Sequence, residues 1–74
     1  MKLEDGKQIA EAFIALQDMK GHTVKFLETR DLPKWPNELS VIFALYSPAG
    51  NLIDGPTIVV VDKQSAKARF FESP

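Results

Sequence analysis

Leu39–Ser47 reads LSVIFALYS and Thr57–Asp62 reads TIVVVD. Each run is apolar at both odd and even positions. A strand has a side-chain period of two, so such a run presents apolar groups on both faces of a sheet. Runs of this length, bounded by turn residues, predict central strands. Between them lies SPAGNLIDGP, whose Pro48, Gly50, Gly55 and Pro56 predict a turn-rich connection, with room for a short extension of each strand.

The flanking stretches supply two more strands. HTVKFLETR, 22–30, places Val24 and Phe26 on one side and Thr23 and Lys25 on the other. KARFFE, 67–72, follows the short turn KQSAK. In DLPKWPNE, Pro33 and Pro36 flank Lys34 and Trp35 and forbid a regular ladder or helix, so 31–38 is expected to be a loop.

Upstream the period changes to 3.6. Ile9, Ala12, Phe13 and Leu16 recur at i, i+3, i+4 and i+7, with Ala10 and Ile14 widening the stripe. Asp5 with Gln8 has capping-box spacing, and Gly21 suits a helix terminus. A helix is expected over about 6–20.

The order α-β-β-β-β with short connections predicts an antiparallel meander, covered on one face by a single helix. The expected fold class is a two-layer α+β domain, one domain over 1–74. Val24, Phe26, Val41, Phe43, Leu45, Ile58, Val60, Ala68 and Phe70 are assigned to the face under the helix. Leu27, Ile42, Ala44, Tyr46, Val59, Val61 and Phe71 are assigned to the other, mixed with Thr23, Lys25, Lys67 and Arg69. One helix of about 15 residues cannot cover both faces, and an exposed apolar patch of this kind marks an interface. Two closures follow: a homodimer by sheet-on-sheet contact, or the 31–38 loop folding Trp35 over the second face.

Composition narrows the function. The chain has 74 residues, 45% of them hydrophobic, no cysteine and one histidine. A chain this short has a small core and gains much from a staple or a partner. Without cysteine there is no disulfide, thiolate zinc site or thiol nucleophile. Nine basic residues against ten acidic ones, net charge −1, lack the basic excess of nucleic-acid domains. The run Val41–Tyr46 is far short of a membrane span, and MKLEDGKQ has no signal-peptide core, so a cytoplasmic protein with no membrane partner is expected.

No residue pattern carries chemistry strongly. His22 has no nucleophile motif beside it and is read as a helix C-terminal residue. Asp31, Glu38, Asp54 and Asp62 stand at loops and strand ends, where carboxylates cap backbone amides. Lys63, Lys67 and Arg69 cluster on the last hairpin beside Phe70 and Phe71, as expected of a solvated edge strand. No catalytic residue, metal ligand or cofactor is assigned. The candidate residues for protein interaction are Trp35, Tyr46, Ile42, Val59, Val61 and Phe71, with tryptophan favoured as an interface anchor. An alternative is a small-molecule module with a pocket between helix and sheet, lined by Phe13, Phe26 and Phe43.

The second half also has a cadence. Trp35 precedes a long apolar strand, a turn ending in Gly55–Pro56, a valine-rich strand closing in Val61–Asp62–Lys63, and a last strand. Over about 35–72 this resembles the small bacterial immunity-protein domain of the YrhB type, and more distantly PepSY-like and cystatin-like α+β modules. Ser65–Ala66 stands where that domain would carry Thr-Gly. The resemblance implies a non-catalytic protein that binds and neutralises a partner protein, an immunity or inhibitor role by surface occlusion. No family residue transfers to a position here.

Overall fold

A computed structural model describes residues 1–71. Helix α1 spans Leu3–Ala15, followed by strands β1 (Thr23–Arg30), β2 (Glu38–Tyr46), β3 (Leu52–Asp62) and β4 (Ala68–Phe70). The strands form one antiparallel sheet in the order β1-β2-β3-β4. This is the expected α+β meander with the helix on one face.

The helix is shifted toward the N-terminus from its expected bounds. It begins after Lys2, and Asp5 sits at the third helical position rather than the cap. From there Asp5 accepts the Lys2 backbone N–H at 2.9 Å, which ties down the entering chain. The helix ends at Ala15, where Leu16 and Gln17 N–H groups donate to the Phe13 and Ile14 carbonyls. Tight bonds of this type satisfy the last carbonyls of a helix. The chain then doubles back, and Met19 packs against the core. Gly21 has φ +86° as its type allows, but beside Lys20 at φ +53° it builds a separate turn closed by His22 N–H to Met19 O, 3.0 Å.

The buried stripe of α1 is Gly6, Ala10 and Ile14, with Ile9 and Phe13 packed beside it. Ala12 is exposed, and Leu16 is 85% exposed. The true stripe is thus rotated from the expected one. Gly6 fits this rotation, because a Cβ there would stand 2.7 Å from Leu39 Cδ1, so the helix approaches the sheet tightly at this residue.

Beneath α1 lie Leu39, Val41, Phe43, Val59 and Val61, each at most 1% exposed. Val41 opposes Val59 and Leu39 opposes Val61. This register corrects the assigned faces. Val59 and Val61 belong to the covered face and Ile58 and Val60 to the open one.

Two irregularities adjust the sheet. In β1 the register shifts between Phe26 and Glu28, so Leu27 is an extra residue and Thr29, opposite Val41, takes the next covered position. In β3 it shifts between the partners of Phe43 and Leu45, accommodating Asp54–Pro56 with Gly55 at φ +85°. β3 therefore begins at Leu52, five residues before the expected start. β4 is shorter than expected. Phe71 lies just past it and still donates its N–H to Ile58 O at 2.8 Å, while Glu72 lies outside the described residues.

Candidate interaction face

The face of the sheet away from α1 carries Ile42, Ala44 and Tyr46 from β2, Leu52, Ile58 and Val60 from β3, and the bulged Leu27 from β1. Ile42, Ala44, Tyr46 and Ile58 are half-buried, while Leu27 and Leu52 are exposed. Lys25, Glu28, Arg30, Glu38 and Arg69 surround this apolar centre. Arg30 pairs with Glu28 at 2.6 Å and Arg69 with Glu38 at 3.1 Å. Exposed pairs of this kind add little stability. Their effect is to leave the rim nearly neutral and the centre apolar.

Trp35 is mounted at one end of this face by a rigid device. Its N–H donates to Leu32 O at 3.0 Å, and its carbonyl accepts the Glu38 N–H at 3.1 Å. Leu32–Trp35 and Trp35–Glu38 are thus two consecutive turns sharing the tryptophan. Pro33 and Pro36 each take the second position of a turn, where the fixed φ of proline is favoured. The three-residue proline spacing is the repeat of the turn itself. Asn37 O accepts the Lys63 N–H at 2.8 Å, and Lys63 Nζ reaches Asp31 at 2.8 Å, so both ends of the loop are pinned to the sheet.

Trp35 and Phe71 flank a depression of about 230 Å³ whose other walls are Glu38, Ser40, Val60 and Arg69. Val60 is only 7% exposed although it lies on the open face. Trp35 itself is 48% exposed. The loop therefore screens the Val60 end and leaves Ile42, Ala44, Tyr46 and Ile58 uncovered by any described segment.

Of the six expected interaction residues, the structure gathers Trp35, Phe71, Ile42 and Tyr46 on this face. Val59 and Val61 are withdrawn into the core because their strand pairs odd with odd against Val41 and Leu39. Ile58 and Val60 were missed, and one signal could have found them. Ser47 N–H donates to Asn51 O, and Gly50 N–H to Ser47 O, both at 2.8 Å, with Gly50 at φ +89°. This is a three-residue hairpin loop, Pro48–Gly50, ending in a left-handed glycine. Such a loop opposes residues of equal parity and so fixes the phase of β3.

Most of the polar residues weighed for chemistry have structural partners. His22 Nδ1 donates to Met19 O at 3.0 Å, within the turn rather than at the helix end. Asp31 and Glu38 hold Lys63 and Arg69. Asp62 accepts the Gln64 and Ser65 N–H groups at 2.8 and 2.9 Å, and these bonds, that of Ser65 foremost, hold its carboxyl below its ordinary value. Among the described residues no three histidine or acidic side chains are grouped to hold a metal ion. Phe13 lies edge-on to Phe70, with ring centres 5.0 Å apart, and Phe26 to Phe43 at 6.0 Å, so the expected pocket residues are taken up in two aromatic pairs of one core. Among the described residues no helix is long and apolar enough to cross a membrane.

No family model, curated protein or solved structure matches the chain.

Proposed function

We propose that this chain is a non-enzymatic protein-interaction domain whose open sheet face packs against a second copy of itself. The observation that carries the reading is the uncovered apolar centre Ile42, Ala44, Tyr46 and Ile58, bordered by the rigidly mounted Trp35. Three strands of about eight residues and a short fourth, about 4.8 Å apart, offer a flat footprint of about 430 Å². Side-chain relief, with Trp35 and Phe71, brings two such faces to about 1,000 Å² in total, the size at which specific interfaces begin. The nearly neutral rim favours self-pairing, since neither copy presents a strong field to the other. A tryptophan fixed by two proline turns loses little freedom on contact, which lowers the cost of association. In the immunity or inhibitor form of this reading, the same anchors occlude another protein's surface and no bond is made or broken. The turn and ion-pair contacts of the surface polar residues support a role without catalysis.

Sedimentation equilibrium over a concentration series tests it. The wild type is expected to be a dimer, and Ile58→Lys to weaken association at least tenfold with its far-UV spectrum intact. Leu16→Lys, on the exposed end of the helix, is expected to change nothing. A wild type that stays monomeric, or an Ile58→Lys variant as dimeric as wild type, overturns the proposal.

A further inference from the structure

We infer that β1 and the crevice beside α1 form a second binding site, which takes an extended peptide as a fifth strand. Three observations meet there. β1 is an outer strand, so the backbone groups of alternate residues point away from β2 with no strand among the described residues to receive them. Its regular stretch before the bulge, Thr23–Phe26, is already longer than the whole three-residue β4. Behind it α1 leaves a crevice of about 240 Å³, walled by Ile14, Ala15, Val24, Phe26 and Phe43, with Glu11 at its rim. Strand addition uses these two features together: the edge supplies main-chain hydrogen bonds, and pockets for alternate side chains supply selectivity.

The site also defines its occupant. The bulge at Leu27 ends the regular ladder, so Thr23–Phe26 can pair with a peptide of about four to six residues. Side chains at alternate positions of that peptide fall toward the crevice and must be apolar. Glu11 makes no ion pair with any described residue, so a lysine or arginine beside the apolar residue complements it. Lys7 lies over the Phe26 ring, 4.6 Å from its centre, and its charge disfavours a second base at that residue. A second copy of β1 fits less well, because it would hold Val24 and Phe26 beneath its own helix and leave both crevices empty.

Selection from a displayed library of random linear heptapeptides on the immobilised full chain tests this, followed by hydrogen exchange with the enriched peptide. Enriched sequences are expected to alternate apolar residues beside a lysine or arginine. Binding should slow exchange in β1, and Ala15→Glu, an exposed position on the crevice wall, should weaken it at least tenfold. Glu11→Lys should turn the flanking preference from basic to acidic, a readout that does not depend on the first variant. No enrichment over the bare support overturns the proposal. So does equal binding by Ala15→Glu, or protection on the open face instead of β1. Protection of β1 that grows with protein concentration in the absence of peptide would make a second copy the occupant, and likewise overturn it.

Discussion

Phe43 and Ile42 are adjacent in β2, yet Phe43 is sealed under α1 while Ile42 stands half-buried on the open face. In β3 Val59 is likewise sealed and Ile58 is not, while Val60 on the open face is buried beside the Trp35 loop. Along the central strands both faces carry apolar residues, but only the open one is rimmed by charged side chains, and the two differ in what lies over them. On the covered face, Gly6, Ala10 and Ile14 bring the helix down onto the valines. Over the other, one loop delivers Trp35 to one end. Hydrophobicity in this chain reports membership of the sheet, and the covering segment decides what becomes core.

Paired truncations put the largest strain on that contrast. Phe43→Ala removes a fully buried ring and is expected to cost about 3–5 kcal/mol. Ile42→Ala, measured in dilute protein, should cost less than half as much, because its side chain leaves partly solvated surroundings. Urea unfolding of both variants at two protein concentrations checks this. Equal costs would mean that the open face is covered in solution. A cost at Ile42 that rises with concentration would assign that cover to the second copy, since association adds stability by mass action.

The layered fold was legible because the change of period from 3.6 to 2 falls between Leu16 and Thr23, and proline or glycine stands in the connections before β1, β2 and β3. Helix bounds were less legible. Asp5 can serve a helix start from the cap or from the third position, and only the approach of Gly6 to Leu39 distinguishes them. The candidate face was half legible. Ser40 marks the open side of β2 and shares it with Ile42 and Tyr46. TIVVVD contains no such polar marker until Asp62, and its phase came from the geometry of the Pro48–Gly50 loop. The flip at Leu27 has no local signal, since the bulge arises from pairing with Ile42 and Val41.

A smaller effect tests whether the two faces can be strengthened together through the hairpin they share. The β3–β4 turn is closed by Asp62 N–H to Lys67 O and Ala66 N–H to Asp62 O, both 2.9 Å, and it places Ala66 at φ +60°. An alanine there carries the steric cost of the left-handed region, about 1–2 kcal/mol. Ala66→Gly removes that cost but enlarges the freedom of the unfolded chain by about 0.4–1 kcal/mol. A net gain of about 0.5–1 kcal/mol is expected in thermal or urea unfolding. Because Ala66 lies on neither face, association should be unchanged. Loss of stability would mean that the turn opens in solution.

The smallest expected effect separates the faces by charge. Among the described residues the covered face buries no titratable side chain, so acid has nothing to titrate beneath α1. Asp62, in contrast, is held by the Ser65 and Gln64 N–H groups, and its carboxyl lies below the ordinary value of 3.8. A depressed acid stabilises the fold above its unfolded pKa, and that contribution fades as pH falls through the folded value. Asp62→Asn keeps an oxygen for the two N–H donors and loses the charge. The variant should therefore be slightly less stable than wild type at pH 6, and the gap should close below about pH 4. Urea midpoints across this range measure it. A gap that stays constant into acid would show that the turn depends on the shape of the Asp62 side chain alone. A gap that closes would show that the sheet is sensitive to acid at the β3–β4 turn, apart from the apolar layer under the helix.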